Sequence, residues 1–337
     1  MPARRKQTRR APLQTLLLCG GFMLALRLFF PTAQPPVDLP ASDEPDAFPL
    51  PLVDFLPTAP ESSAVSMPIV VVEQPPQPVF TPSPSDYQGT GTVYFKNETD
   101  YAIDMTSLLQ KDSPVALGEE GVQVLIMHTH GTEAYTQSPG HAYVASGEYR
   151  TTDSSANMLR VGQEICDILN DRGISAVHSR TLNDYPAYNG AYDRSRAGIE
   201  AYLEEYPTIR LILDLHRDAV ENKSGQQVAM TAETDRGTAA QLMLVVGTDS
   251  NLNHDNWPEN MALAVKLHAL LEKKYPGICR PISFRSQRFN QDLSPGALIV
   301  EVGAAGNDRK EALLAAEILG EVILELSRGA ATEDSTS

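Results

Sequence analysis

The chain has 337 residues, three cysteines and a formal net charge of -16. Such a charge argues against a general nucleic-acid binder, because phosphate contacts need a basic surface. The cysteines form no C-x-x-C pair, which argues against a thiolate zinc site. Cys166 and Cys279 are read as separate buried thiols rather than a disulfide.

The first residues, MPARRKQTRR, are strongly basic. Residues 1–12 therefore read as a cytoplasmic tail, and residues 13–31 as a membrane span. The run LQTLLLCGGFMLALRLFF is just long enough, since a span takes roughly 20 residues. Arg27 lies near the far end, where it can snorkel to the interface. Positive charge ahead of the span predicts an extracytoplasmic remainder. An uncleaved anchor is favoured over a signal peptide, because Pro31-Thr32-Ala33 matches a cleavage site poorly. Residues 32–90 are rich in proline, serine and acidic side chains, which predicts a disordered or semi-rigid stalk.

The compact domain is expected over 91–328, with a polar tail at 329–337. VYFKNETDYAIDMTSLLQ reads as a short strand and a short helix. VQVLIMH is an apolar run of strand length. SSANMLRVGQEICDILNDRG has helical apolar spacing and closes at Gly173. ISAVHSR, IRLILDLH, QLMLVVG and GALIVEVG read as further strands. YDRSRAGIEAYLEEY, WPENMALAVKLHALLEKKY and a stretch from Arg309 to Leu326 read as helices. Such alternation predicts an α/β domain with a mostly parallel central sheet and helices on both faces.

In such sheets, sites form at the carboxyl ends of strands. The first apolar strand ends in His128-Thr129-His130, with Glu133 just beyond. IRLILDLHRDA ends in Asp214, His216, Arg217 and Asp218, and GALIVEVG carries Glu301. Strand alternation puts His128 and His130 on one side, and Asp214, His216 and Asp218 on one side. One at a time each has a plain structural reading; Glu301, for example, could pair with Arg217. Together they fit zinc hydrolysis. A catalytic zinc takes three nitrogen or oxygen ligands and leaves one position for water. His130, Glu133 and His216 would be the ligands and Glu301 the general base. His141, His178, His254 and His268 read as structural or surface residues. The chain has neither a G-x-S-x-G elbow nor a G-x-x-x-x-G-K-[ST] phosphate loop.

The stretches HTHGTEAY, DLHRDA, NWPENMALAVKLH, FNQDLSPGALIVEVG and AAGN, in this order, resemble the stage II sporulation protein P family of endospore-forming bacteria. The layout of basic start, span, stalk and catalytic domain resembles it too. That family is related to zinc-dependent N-acetylmuramoyl-L-alanine amidases, which implies an amidase-like fold. Laid on their D-P-G-H-G pattern, Met127 to Gly131 puts the ligand at His130. Their S-L-H pattern resembles Asp214-Leu215-His216, and their L-V-E-x-G pattern resembles Ile299 to Gly303 with Glu301 as catalytic glutamate. Their glutamate ligand opens the first long helix, where this chain has Asp153 and Ser154. Glu133 is therefore the chosen third ligand, with Asp153 as the alternative. His128 becomes a supporting or substrate-contacting residue, and Arg217 and Asp218 are assigned to substrate binding or to orienting His216.

The resemblance implies cleavage of the amide between the muramoyl lactyl group and L-alanine in peptidoglycan, and an associated endopeptidase action on cross-links. It also implies work at the sporulation septum during engulfment, from the cell membrane, with stage II sporulation proteins D and M as partners. Two rivals stand beside it. One is another zinc peptidase or deacetylase; the other is a catalytically inactive, membrane-tethered scaffold.

Overall fold

A computed structural model describes residues 87–333. The expected basic tail, the membrane span, all but the last few residues of the stalk and the final four residues lie outside that range. Among the described residues no helix is long and apolar enough to cross a membrane.

Among the described residues ten strands and five α-helices alternate. The chain opens with β1 (Gln88–Thr90), β2 (Val93–Asn97), α1 (Met105–Gln110) and β3 (Val124–Met127). It continues through α2 (Met158–Asp171), β4 (Ala176–His178), α3 (Ala191–Glu205) and β5 (Leu211–Asp218). A hairpin of β6 (Thr231–Thr234) and β7 (Gly237–Ala240) precedes β8 (Leu242–Val246) and α4 (Trp257–Lys274). Then come β9 (Ile282–Phe284), β10 (Ala297–Ala304) and α5 (Arg309–Glu333). Strand pairing begins at Gln88, ahead of the expected domain start at 91, and α5 runs past the expected end near Leu326.

The main sheet has eight strands in the order β1-β2-β9-β8-β10-β5-β3-β4. Five of its seven pairings are parallel; β1 with β2 and β10 with β8 are antiparallel. It is thus mostly parallel, as expected, but consists of two parallel blocks that run opposite ways and join at β10.

Alternation along the strands sorts the core. Val124 and Ile126, Leu211, Leu213 and Leu215, Leu242, Leu244 and Val246, and Leu298, Val300 and Val302 all face one side. There they pack against α1, α2, α4 and α5. The intervening residues Leu125, Met127 and Ile212 face the other side, where α3 packs through Ile199, Tyr202 and Leu203. Helices do cover both faces, but unequally. Over β10 and β8 the second face is closed by Phe289 from the loop before β10.

Local signals set the helix ends. The Asn157 side chain accepts from the Leu159 amide and caps α2, and Pro258 stands in the first turn of α4. Cys166 and Cys279 are free and buried, as expected. Gly162 lets α2 approach the sheet closely: a Cβ there would lie 2.6 Å from His128 Nε2 and 2.7 Å from His178 Nε2. Gly162→Ala should therefore lower stability by about 1–3 kcal/mol despite alanine's better helix propensity. Denaturant unfolding at equilibrium checks this, and an unchanged or raised midpoint would contradict it.

Candidate active site at the meeting of three strands

β3, β5 and β10 are neighbours, so their carboxyl ends share one rim of the sheet. The chain leaves β3 at Met127 and turns at once, so His128 and His130 do not share a side as strand alternation predicts. His128 is fully buried, with Nδ1 3.1 Å from Leu215 O and Nε2 2.9 Å from His178 Nε2. Burial, and then the neighbouring His178, push its pKa down to about 3. Through Nδ1 it is held to Leu215, the neighbour of His216 in β5.

His130 comes out on the working side. Its ring lies 5.2 Å from that of His216, edge to face, and stacks on Tyr188 at 4.6 Å. Tyr192, in the first turn of α3, meets it edge-on. Burial holds the His130 pKa below the usual histidine value, which favours the neutral imidazole that ligates metals. Its Nδ1 is buried and has no hydrogen-bond partner.

β5 keeps its strand geometry through Asp218, so Asp214, His216 and Asp218 do face one way. His216 Nε2 stands 3.0 Å from Asp214 Oδ1, an ion-pair distance without hydrogen-bond alignment. Burial alone would lower the His216 pKa, but Asp214, Glu133 and Glu301 outweigh it and raise it to about 10. Burial would likewise raise Asp214, yet His216 and Thr129 hold its carboxyl below the usual range. Thr129 donates to Asp214 through its amide, at 2.7 Å, and its hydroxyl, at 2.6 Å.

Glu133 lies in the turn after His130, with its Oε2 3.7 Å from His216 Nδ1. Arg150 donates to its Oε1 at 3.2 Å, and the Arg217 amide to its Oε2 at 3.1 Å. The Arg217 guanidinium bonds to the carbonyls of Ala134 and Tyr149, so it braces the segment that carries Glu133. It neither orients His216 directly nor pairs with Glu301. Asp153, the alternative third ligand, is exposed and bonded to Ser155, and the structure brings Glu133 to His216 instead.

Glu301 stands opposite His216 in the β10–β5 register. The residue is partly exposed, but its Oε2 is shut from solvent and has no partner. Burial raises its pKa to about 8, against the lowering effect of His216. The end of β10 is tied to the His130–Thr136 turn. Tyr135 Oη donates to Val302 O at 2.8 Å, and the Thr136 amide to Ala305 O at 2.9 Å. Asn307 Oδ1 accepts from the amides of Ala304 and Met230, which locks the left-handed bend at Gly303.

Sequence reading singles out none of Asp184, Arg150, Tyr188 or Tyr192. Asp184 accepts from the Thr132 amide and hydroxyl and from Arg150, and lies 4.0 Å from His130 Nδ1. These residues sit in loops and a helix start, where no period marks them. Of the other histidines, His141 pairs with Asp308 at 3.4 Å, and His254 and His268 are buried away from the rim.

The sequence profile described as Stage II sporulation protein P (SpoIIP) matches residues 72–324. The chain belongs to the stage II sporulation protein P family. Stage II sporulation protein P of Bacillus subtilis (strain 168) is 32% identical over 232 residues, covering 64% of this chain and 54% of that protein. The chain thus spans about half the length of that relative. Among solved structures, N-acetylmuramoyl-L-alanine amidase AmiC2 of Nostoc punctiforme aligns at 16% identity and TM-score 0.38, over 62% of this chain and 98% of its own. The N-acetylmuramoyl-L-alanine amidase of Clostridium difficile 630 aligns at 16% identity and TM-score 0.38, over 65% of this chain and 100% of its own. Those similarities are too distant to carry residue roles into this stage II sporulation protein P family member.

Proposed function

We propose that the chain is a zinc-dependent peptidoglycan hydrolase that cleaves the N-acetylmuramoyl-L-alanine amide. The observation that carries this reading is the rim itself. An unpartnered His130 nitrogen, a facing Glu133–His216 pair and an unpartnered Glu301 oxygen stand at neighbouring strand ends. Family membership supports the substrate class.

The donor set suits zinc. Two ligands on one tetrahedral zinc lie about 3.4 Å apart, close to the 3.7 Å between Glu133 Oε2 and His216 Nδ1. Among the described residues no three histidine, cysteine or acidic side chains are already gathered as a metal group. His130, Glu133 and His216 would hold the ion. Zinc, when bound, supplies Lewis acidity toward the scissile carbonyl and acidifies water.

The chain's own groups do the rest. Glu301, with its proton affinity raised toward neutrality, takes a proton from the attacking water and returns it to the leaving nitrogen. Asp214 holds the His216 ring, and Arg150 and the Arg217 amide hold Glu133. Tyr188 and Tyr192 flank His130 and limit solvent around it.

The same reading puts the protein at the cell membrane facing the septal wall during sporulation, held by residues 13–31, with stage II sporulation proteins D and M as partners. Cross-link cleavage belongs to it as a second activity at the same rim.

The test is digestion of purified peptidoglycan by the full chain. Peptides with new L-alanine amino termini should appear, stop with a chelator and return with zinc. Release that survives chelation overturns the zinc mechanism. Release of acetate instead of peptide identifies a deacetylase. No release and no bound metal identify a scaffold.

A further inference from the structure

Beside the proposed site, on the same face of the sheet, lies a cavity of about 180 Å³. It begins one strand from Glu301: Met243, the register partner of Glu301 on β8, forms part of its floor. Asp218, two residues past His216, and its ion-pair partner Arg280 line it, together with Ser283 of β9 and Arg285. Lys96 on β2 closes the rim.

The charge here runs against the rest of the molecule. Lys96 and Arg285 share one carboxylate, Glu98, and Arg280 pairs with Asp218. Three cations against two carboxylates leave a positive charge over, in a chain whose net charge is -16. Arg280 is the innermost of the three, with its side chain 13% exposed. One guanidinium nitrogen meets Asp218 Oδ2 at 2.8 Å, while Nη1 is buried and has no partner at all. A buried guanidinium N–H is costly to leave unpaired, and its fork geometry suits a second carboxylate. The floor beneath is apolar, formed by Met230, Met243 and Pro281.

We infer that this cavity binds a carboxylate of the acidic stem peptide, with Arg280 as the anchor that sets substrate preference. Spacing fixes which part of the peptide reaches it. The cavity runs from Met243, one strand from Glu301, to Ser283, two strands away, or roughly 5–10 Å at ordinary strand spacing. An extended peptide covers about 3.3–3.6 Å per residue. The anchored carboxylate therefore belongs to the second or third residue of the leaving peptide, counted from the L-alanine. This assignment rests on the amidase reading for its direction, because the peptide must leave toward β9.

The experiment uses the full, zinc-loaded chain and muramoyl-tripeptides whose second- or third-residue carboxylate is either free or amidated. The free acid should be cleaved with a kcat/KM roughly tenfold higher, chiefly through a lower KM, as one charge-assisted contact provides. Arg280→Gln should erase that ratio, and Arg280→Lys should restore part of it. Equal kcat/KM values for the two forms in the unaltered chain overturn the proposal, as does a ratio that survives Arg280→Gln. Calorimetric binding of the free tripeptide acid, against its amide, is run in parallel and does not depend on turnover. If no substrate is cleaved but the acid binds and Arg280→Gln abolishes binding, the amidase reading fails and the subsite stands. If cleavage proceeds and binding ignores the carboxylate, the subsite fails and the amidase reading stands.

Discussion

Glu301→Gln should reduce peptide release by about 10²–10⁴-fold while leaving bound metal unchanged, the usual range for losing a general base. The substitution keeps the shape of the side chain and removes only its ability to carry the proton. The same variant should have an opposite effect on stability in the metal-free protein. Burial raises the Glu301 pKa in the fold from 4.5 to about 8. The folded state therefore binds a proton there that the unfolded chain has already lost at intermediate pH. Stability from this group is full below the unfolded pKa and is lost as pH rises through the folded one. Between pH 5 and pH 8 the unaltered metal-free chain should lose roughly 2–4 kcal/mol relative to Glu301→Gln. Chemical denaturation at both pH values, with chelator present, measures it. Full activity in Glu301→Gln would remove the residue from catalysis, and parallel pH curves would show that its carboxyl is not buried in solution.

Asp214→Ala should be the most destabilising single change at the rim. The carboxylate accepts two bonds from Thr129 and faces His216 Nε2 at 3.0 Å. Removing it leaves the buried His216 imidazolium with Glu133 at 3.7 Å as its one close carboxylate, and the buried Thr129 amide without its acceptor. Breaking a buried pair from one side costs about 3–5 kcal/mol, and loss of a histidine's carboxylate partner weakens metal binding by roughly 10–100-fold. Asp214→Asn keeps the acceptor for Thr129 and should recover part of the stability but little of the metal affinity. Thermal unfolding and zinc titration of the two variants separate those effects. Unaltered zinc affinity in both would mean that Asp214 serves packing alone.

Much of the fold was legible in the chain itself. Continuous apolar runs such as ILDL and LIVEV mark strands buried on both faces, and 3.6-residue spacing marks α2. Both signals are local. His216 and Glu301 were legible for the same reason: a polar residue inside an apolar run stands out. His128 misleads because alternation holds only while the strand lasts, and β3 stops one residue before it. The short β9 and the β6–β7 hairpin have too few residues to carry a period. Arg150, Asp184 and Arg280 are invisible for a different reason. Each is a charged residue in a loop, and only long-range packing shows that it is held against a partner.

The central position of β10 has a consequence for how the molecule comes into being. It is the last of the described strands, yet among them it alone joins the two oppositely directed blocks, pairing with β5 on one side and β8 on the other. Until it is synthesised, each block has an open, unpaired edge, which invites pairing with the wrong chain. The segment that heals both edges also delivers Glu301. The protein therefore cannot place Glu301 beside His216 before its sheet is sealed, and the rim of β3, β5 and β10 is complete only once that last strand is in place.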